Sequence, residues 1–273
     1  MSRVDGVTLS AAAIAFDQVA GSYDESFTHT AIGRAQRKQV WRRLLAAFPP
    51  GSRILELNCG TGEDARYLAK HGRSVVACDA SAAMIAVAKR RGEEEGANSH
   101  TQYIHVGSEN LLAFSSETLF DGAFSNFSGL NCLADLTPVA QQLARLVKPN
   151  GRVLLCLWSR ICITEVFWFL MKGQPQKAVR RFSGKATANL GGMTISVFYP
   201  TIREVCRSFS PWFYLKSQCT VGLFVPPSYA GKWMNKHEKA LARLGWLDHL
   251  CGDWPILRGL GDHMLLEFVR CNP

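Results

Sequence analysis

Between residues 53 and 158 the chain alternates short apolar runs with longer stretches whose apolar positions recur every three to four residues. The runs at 53–58, 74–78, 102–106, 119–125 and 152–158 predict strands, and 63–71, 81–92 and 134–147 predict helices. The last helix is the plainest. Leu136, Val139, Ala140, Leu143, Leu146 and Val147 form one stripe, closed by PNG at 149–151. Strands alternating with helices predict an α/β fold built on a parallel sheet. Upstream, Phe16, Val19 and Ala20 make one helical set, and Val40, Trp41, Leu44, Leu45 and Phe48 make another, ending at PPG, 49–51. The rhythm breaks over 160–200, which hold VFWFLM at 166–171, a basic stretch, and then Gly191 and Gly192. This segment reads as an insertion covering the sheet's carboxyl edge. A helix near 201–208, strands near 212–224 and 263–270, and helical segments between them complete the chain, which shows no internal repeat. The expected organisation is a single overall domain. It comprises an N-terminal helical lid over 1–50, a core over 51–159, an inserted cap over 160–210 and completion of the sheet over 211–273.

The turn inside RILELNCGTGEDARYLA, 53–69, carries the first chemical signal. A strand ends near Glu56, turns through Gly60 and Gly62, and enters a helix near Glu63. Glycine lacks Cβ and tolerates positive φ, so the backbone there can approach a ligand closely. A second strand, SVVAC at 74–78, is followed at once by Asp79, seventeen residues beyond Gly62. An acid about 20 residues past such a turn is placed to hold the two hydroxyls of a ribose. The pair predicts a nucleoside cofactor at the carboxyl end of the sheet.

Composition narrows the class. The 47% hydrophobic content of 273 residues supports a sizeable core. No run of 18 uncharged apolar residues occurs, and no basic region precedes an apolar one at the N-terminus. The expectation is therefore a cytoplasmic protein with no stable membrane insertion. Nine cysteines are scattered at 59, 78, 132, 156, 162, 206, 219, 251 and 271, without CxxC or histidines at zinc spacing. They read as buried thiols, and no metal is expected. The net charge of +9 is spread over 34–43, 177–185 and 232–243 rather than gathered in one run. Solvated helix faces explain most of it, with attraction to an anionic substrate or membrane surface as the other reading. A nucleic-acid partner is not expected, and a homo-oligomer is left open.

Four segments in order resemble the class I S-adenosylmethionine-dependent methyltransferases of small-molecule type. They are FDQVAGSYD at 16–24, ELNCGTG at 56–62, VACDASAAM at 76–84, and FDGAFSN at 120–126 followed by LVKPNG at 146–151. The resemblance implies a Rossmann-like, seven-stranded, mostly parallel sheet with helices on both faces and the last strand antiparallel. It implies S-adenosyl-L-methionine as cofactor and S-adenosyl-L-homocysteine as product. Glu56, Asn58, Gly60 and Gly62 would line the methionine part, although the family often has Asp where Asn58 stands. Asp79 would take the ribose hydroxyls, and Ala80 and Met84 would flank the adenine. Ser108 and Glu109 would meet the adenine amine, and Asn126 and Phe127 would face the sulfonium. Tyr23 would close over the cofactor, with Arg37 as partner for its carboxylate. The residues agree with that chemistry. A cofactor without pyrophosphate needs no third glycine, and its ammonium and sulfonium favour carboxylate, carbonyl and aromatic surroundings.

Methyl transfer is an in-line displacement, so alignment of acceptor and methyl group can supply much of the catalysis. A base is needed only for an acceptor protonated at attack, such as a phenol. His29, Tyr199 and His263 are the candidates, His29 first because it shares the lid segment with Tyr23. The cap's aromatics, Phe167, Trp168 and Phe169, predict a hydrophobic acceptor, aromatic or prenyl-like, although the same stripe would serve to pack the insertion. Asn131, Trp168 and Arg181 are the candidate acceptor contacts, with Arg180 beside the last. SNFS at 125–128 departs from the (Asp/Asn)-Pro-Pro-(Tyr/Phe) of many nucleic-acid base methyltransferases. Glu56 argues against a dinucleotide, since a carboxylate there would repel pyrophosphate. Asn126 stands where a polyamine synthase of this fold should have an aspartate. A cofactor-binding scaffold without catalysis, or an enzyme of the same fold running a different reaction, remain as alternatives.

Overall fold

A computed structural model describes residues 3–272; residues 5–6, 9, 98, 115–118 and 235–236 lie outside the described residues. The predicted apolar runs form β1 (Arg53–Leu57), β2 (Ser74–Asp79), β3 (Thr101–His105), β4 (Phe120–Ser125) and β5 (Val147–Trp158). A separate hairpin, β6 (Lys185–Leu190) and β7 (Met193–Phe198), precedes β8 (Phe213–Val221) and β9 (His263–Arg270). Seven strands make one sheet in the order β8-β9-β5-β4-β1-β2-β3. Strands β1 to β5 pair in parallel, while β9 runs antiparallel to both β5 and β8. The fold is α/β, with the mostly parallel seven-stranded sheet of the Rossmann-like class. Apolar residues occupy both faces of β1, β2 and β4 because helices cover both sides.

The helices are α1 (Ala11–Val19), α2 (Ala31–Ala47), α3 (Glu63–Lys70), α4 (Ala82–Glu94), α5 (Thr137–Leu146), α6 (Ile163–Met171), α7 (Ile202–Phe209) and α8 (Glu238–Cys251), with shorter turns between them. One core layer joins Leu55, Leu57, Val139, Leu143, Val205 and Phe268, packing α5 and α7 on the sheet. The opposite layer joins Val40, Leu44, Leu68, Ile85, Ile54 and Leu265, packing α2, α3 and α4.

Local chemistry sets the element ends. Ser10, Thr30 and Ser81 cap α1, α2 and α4 with side-chain oxygens, and Thr201 with Glu204 forms a reciprocal capping box on α7. One boundary differs from the sequence pattern. The PNG at 149–151 does not simply stop α5; β5 already begins at Val147, opposite Phe120. The pairing then shifts register before Gly122, and Asn150 takes the left-handed region at φ 62°. The strand thus starts directly at the end of α5, and its exposed Lys148, Pro149 and Asn150 carry the polar turn inside the strand itself.

The insertion holds two features that periodicity did not announce. Gly191 and Gly192, with φ of 56° and 78°, turn the β6–β7 hairpin. That hairpin packs through Ile195, Val197 and Tyr199 against Ala15 of α1, so lid and insertion support each other. None of the helices among the described residues is long and apolar enough to cross a membrane. All nine cysteines are free.

Candidate active site

The turn after β1 is held by Asp79. Its carboxylate accepts the backbone N–H of Gly60 at 2.8 Å and that of Ser81 at 2.9 Å. Burial raises its pKa, partly opposed by these two hydrogen bonds. A carboxylate offers about four lone-pair directions, so two remain for a ligand. Gly60 has φ 53°, and no atom stands within 4 Å of where a Cβ would project. That open position belongs to a cavity of about 880 Å3 lying over the carboxyl ends of β1, β2 and β4.

One wall of the cavity contains Ala80, Met84, Ser108 and Glu109, and another contains Asn58, Asn126 and Phe127. Phe16 and Tyr23 of the lid segment complete the enclosure. The rings of Phe16, Tyr23, Phe27 and Phe127 follow one another at centroid spacings of 6.3, 6.2 and 5.2 Å. Burial pushes the Tyr23 phenol up to about 12, which keeps it protonated. The lid is fastened polar-side as well. Asp24 accepts from Thr61 Oγ1 at 2.7 Å and pairs with Arg91, which also pairs with Glu63. Asp17 of α1 accepts from Ser81 Oγ and from the Ala83 N–H at the start of α4.

Asp64, in the first turn of α3, is the residue that the sequence pattern did not single out. It is buried in the cavity wall and accepts from Arg37 at 2.6 Å, Trp41 at 2.6 Å and Asn126 at 3.0 Å. Its acidic first-turn position was the available signal, but acids there serve helix N-termini generally. Arg37 is buried beside it, 4.7 Å over the Phe127 ring. Asn126 Oδ1 is buried without a hydrogen-bond partner.

Most of the expected cofactor positions come together: Tyr23, Arg37, Asn58, Gly60, Asp79, Ala80, Met84, Ser108, Glu109, Asn126 and Phe127 all line this cavity. Two do not. Gly62 stands behind the turn, where a Cβ would meet the Tyr103 ring at 2.8 Å. Glu56 is absent from the lining and buried beneath it, with Oε2 unpartnered. Burial, reinforced by Asp64, pushes its pKa well above the carboxylate range.

The expected acceptor and base residues lie elsewhere. His29 is exposed on the lid and lines no part of the cavity. Asn131 is a tether, donating to the Phe198 carbonyl and accepting from the Trp158 N–H. Trp168 packs on Tyr229, and Phe167 points to solvent. Arg181 is spent on Glu165 at 2.6 Å and Asp262 at 2.8 Å. Burial works against its charge, but Asp262 and Glu165 outweigh that and push its pKa up. Tyr199 is buried and stacks on Trp158 at 5.9 Å. His263 is buried 5.6 Å from Phe127 and 6.3 Å from Trp158. Its Nδ1 lies 3.4 Å from Asp262 Oδ2. Burial outweighs the pull of Asp262 and lowers its pKa, favouring neutral imidazole.

Sheet, turn and enclosed cavity define a nucleoside-cofactor enzyme of the Rossmann-like class. A methyltransferase-domain profile matches residues 54–151. A demethylmenaquinone methyltransferase of Streptomyces griseus is 34% identical over 174 residues, which cover 60% of this chain and 69% of the relative. The tRNA 5-carboxymethoxyuridine methyltransferase of Escherichia coli is 28% identical over 178 residues, covering 62% and 67%. The structure of the CcbJ methyltransferase from Streptomyces caelestis superposes over 94% of this chain and 98% of that one, with a TM-score of 0.63 and 12% identity. With the four segments in order, these place the chain among the class I S-adenosylmethionine-dependent methyltransferases, to which it belongs. It is an enzyme, and its cofactor is S-adenosyl-L-methionine.

The residues present fit that cofactor. The remaining Asp79 lone pairs suit two vicinal hydroxyls. The orphaned Asn126 oxygen and the Asp64 carboxylate suit an ammonium, and Arg37 suits a carboxylate.

Proposed function

We propose that this methyltransferase acts on a small hydrophobic acceptor, aromatic or prenyl-like. The observation that carries the reading is the apolar and aromatic part of the cavity's own lining. Phe16, Tyr23, Met84, Phe127 and Leu133 face it, and the Phe127 ring continues outward to Phe27. Such a wall offers flat apolar surface and few hydrogen-bond donors, which suits a planar or prenylated molecule. The relative named demethylmenaquinone methyltransferase supports the same class of acceptor.

When bound, S-adenosyl-L-methionine supplies an electrophilic methyl group on a positively charged sulfur. In this reading the chain's own residues do the rest. Asp79 holds the ribose end, Ala80, Met84, Ser108 and Glu109 the adenine end, and Asn126, Asp64 and Arg37 the amino-acid end. Phe16 and Tyr23 exclude water from above. Phe127 borders the cavity beside Asn126, and direct alignment of the acceptor atom with the methyl group supplies roughly several kcal/mol of the acceleration.

A panel of phenols, hydroquinones, amines, carboxylates and prenyl compounds, read out as S-adenosyl-L-homocysteine formed, tests this. Turnover concentrated on the apolar phenols and prenyl compounds is expected. Turnover confined to hydrophilic acceptors or to tRNA overturns the reading.

A further inference from the structure

The outward face of α6 breaks the usual rule for a surface helix. Its inward side is anchored by Glu165, buried and paired with Arg180 and Arg181, and by Trp168 and Phe169 against Tyr229. Outward stand Ile163, Phe167, Leu170 and Met171, spaced i, i+4, i+7, i+8 and therefore on one face. They are 46, 66, 54 and 73% exposed. Val179 and Phe182, also exposed, continue the apolar surface into the next segment. A solvent-facing helix side is ordinarily polar, and isolated exposed apolar residues need no explanation. A continuous face marks a contact.

Charge identifies what the face contacts. Residues 160–200 contain six basic side chains and one acid, and that acid is Glu165, already paired. Lys172 and Lys177, just beyond the stripe, are exposed. Lys172 Nζ lies 4.4 Å over the Trp168 ring and Lys177 Nζ 5.8 Å from the Phe169 ring, so both cations sit against the partly buried aromatics that flank the outward stripe. A second copy of this chain would bring the same cations against these and be repelled. RNA would answer the charge but gains no stacking from Ile163, Leu170 or Met171. An anionic lipid surface answers both the charge and the aliphatic side chains.

We propose that α6 and the following basic segment dock this enzyme on anionic phospholipid bilayers. The helix, nine residues long, lies in the interface plane with Phe167, Leu170 and Met171 at the acyl boundary. Lys172 and Lys177 remain at headgroup level. This docking is independent of the acceptor's identity, because its readout is lipid binding rather than turnover.

The test uses the full chain with vesicles of phosphatidylcholine containing phosphatidylglycerol, and with vesicles of phosphatidylcholine alone. Co-sedimentation should favour the anionic vesicles by about tenfold or more and weaken as salt rises. Phe167→Asp with Met171→Asp should lower the anionic binding by about tenfold, through the apolar contribution. Lys172→Glu with Lys177→Glu should lower it comparably and flatten the salt dependence. Calorimetric affinity for S-adenosyl-L-methionine, unchanged in both, certifies their folding. The proposal is overturned if the wild-type chain ignores anionic vesicles, or if both pairs of substitutions leave binding intact. It is equally overturned if the face mediates self-association by light scattering, or tRNA binding by gel shift, in place of lipid binding.

Discussion

Asp79 Oδ2 stands 2.8 Å from the backbone nitrogen of Gly60, so an acid that lines the cavity also fixes the turn that shapes it. One side chain thereby sets both a polar group of the cavity and the backbone around it. Asp79→Ala should weaken S-adenosyl-L-methionine binding by at least about tenfold, since it removes two charge-assisted acceptors from buried N–H groups. Asp79→Asn, which keeps one acceptor oxygen, should fall between. Calorimetry decides; wild-type affinity in Asp79→Ala would remove this residue from the site.

The two glycines of the turn should separate stability from binding. Gly62→Ala forces a Cβ within 2.8 Å of Tyr103 at a φ of 74°, and should cost roughly 1–3 kcal/mol of stability. Gly60→Ala meets no atom, so it should cost only about 1 kcal/mol for the left-handed backbone. Its methyl group enters the cavity, and it should raise the cofactor Kd more than Gly62→Ala does. Thermal denaturation alongside calorimetry would show the opposite ordering if Gly62, rather than Gly60, faced the ligand.

Arg181 should behave as a structural residue. Arg181→Ala leaves Asp262 buried without its arginine and Glu165 with Arg180 alone, a change worth roughly 3–5 kcal/mol. The expected result is a large drop in Tm with the acceptor KM little changed in whatever protein remains folded. A raised KM at wild-type Tm would instead make Arg181 an acceptor contact.

His263 gives a signature in pH. Its pKa is lowered from 6.5 by burial, against the raising influence of Asp262 and with the lowering influence of Arg181. In the unfolded chain the ring protonates first, so native stability is full above pH 6.5 and declines as pH falls below it toward the folded value. The ring lies outside the cavity, so kcat/KM for a phenolic acceptor should carry no limb set by it. His263→Gln should lower Tm at neutral pH and leave the kcat/KM profile unchanged. Loss of an acid limb in His263→Gln would instead make the ring a base.

Much of the cavity lining was legible beforehand because its signals are local. A strand, a glycine turn and an acid at the next strand's end are written within 53–79, and backbone preference decides each of them. Asn126 and Phe127 followed from the strand ending at Ser125. Asp64 was not legible: its role arises from Arg37, Trp41 and Asn126, which converge on it from three other elements. His29 attracted attention through its nearness to Tyr23 in sequence, but the turn between them leaves it exposed.

The sequence by itself determined the alternation of strands and helices, the sheet they imply and the turn that lines the cavity, because periodicity and glycine conformation act over a few residues. Only the tertiary structure decided which side of that turn Glu56 and Gly62 occupy. It also decided that Arg181 closes a buried ion pair with Glu165 and Asp262, and that His263 meets Phe127 across 136 positions of chain. Those outcomes depend on how separate layers pack against one another, and no short-range pattern encodes the partner across the gap.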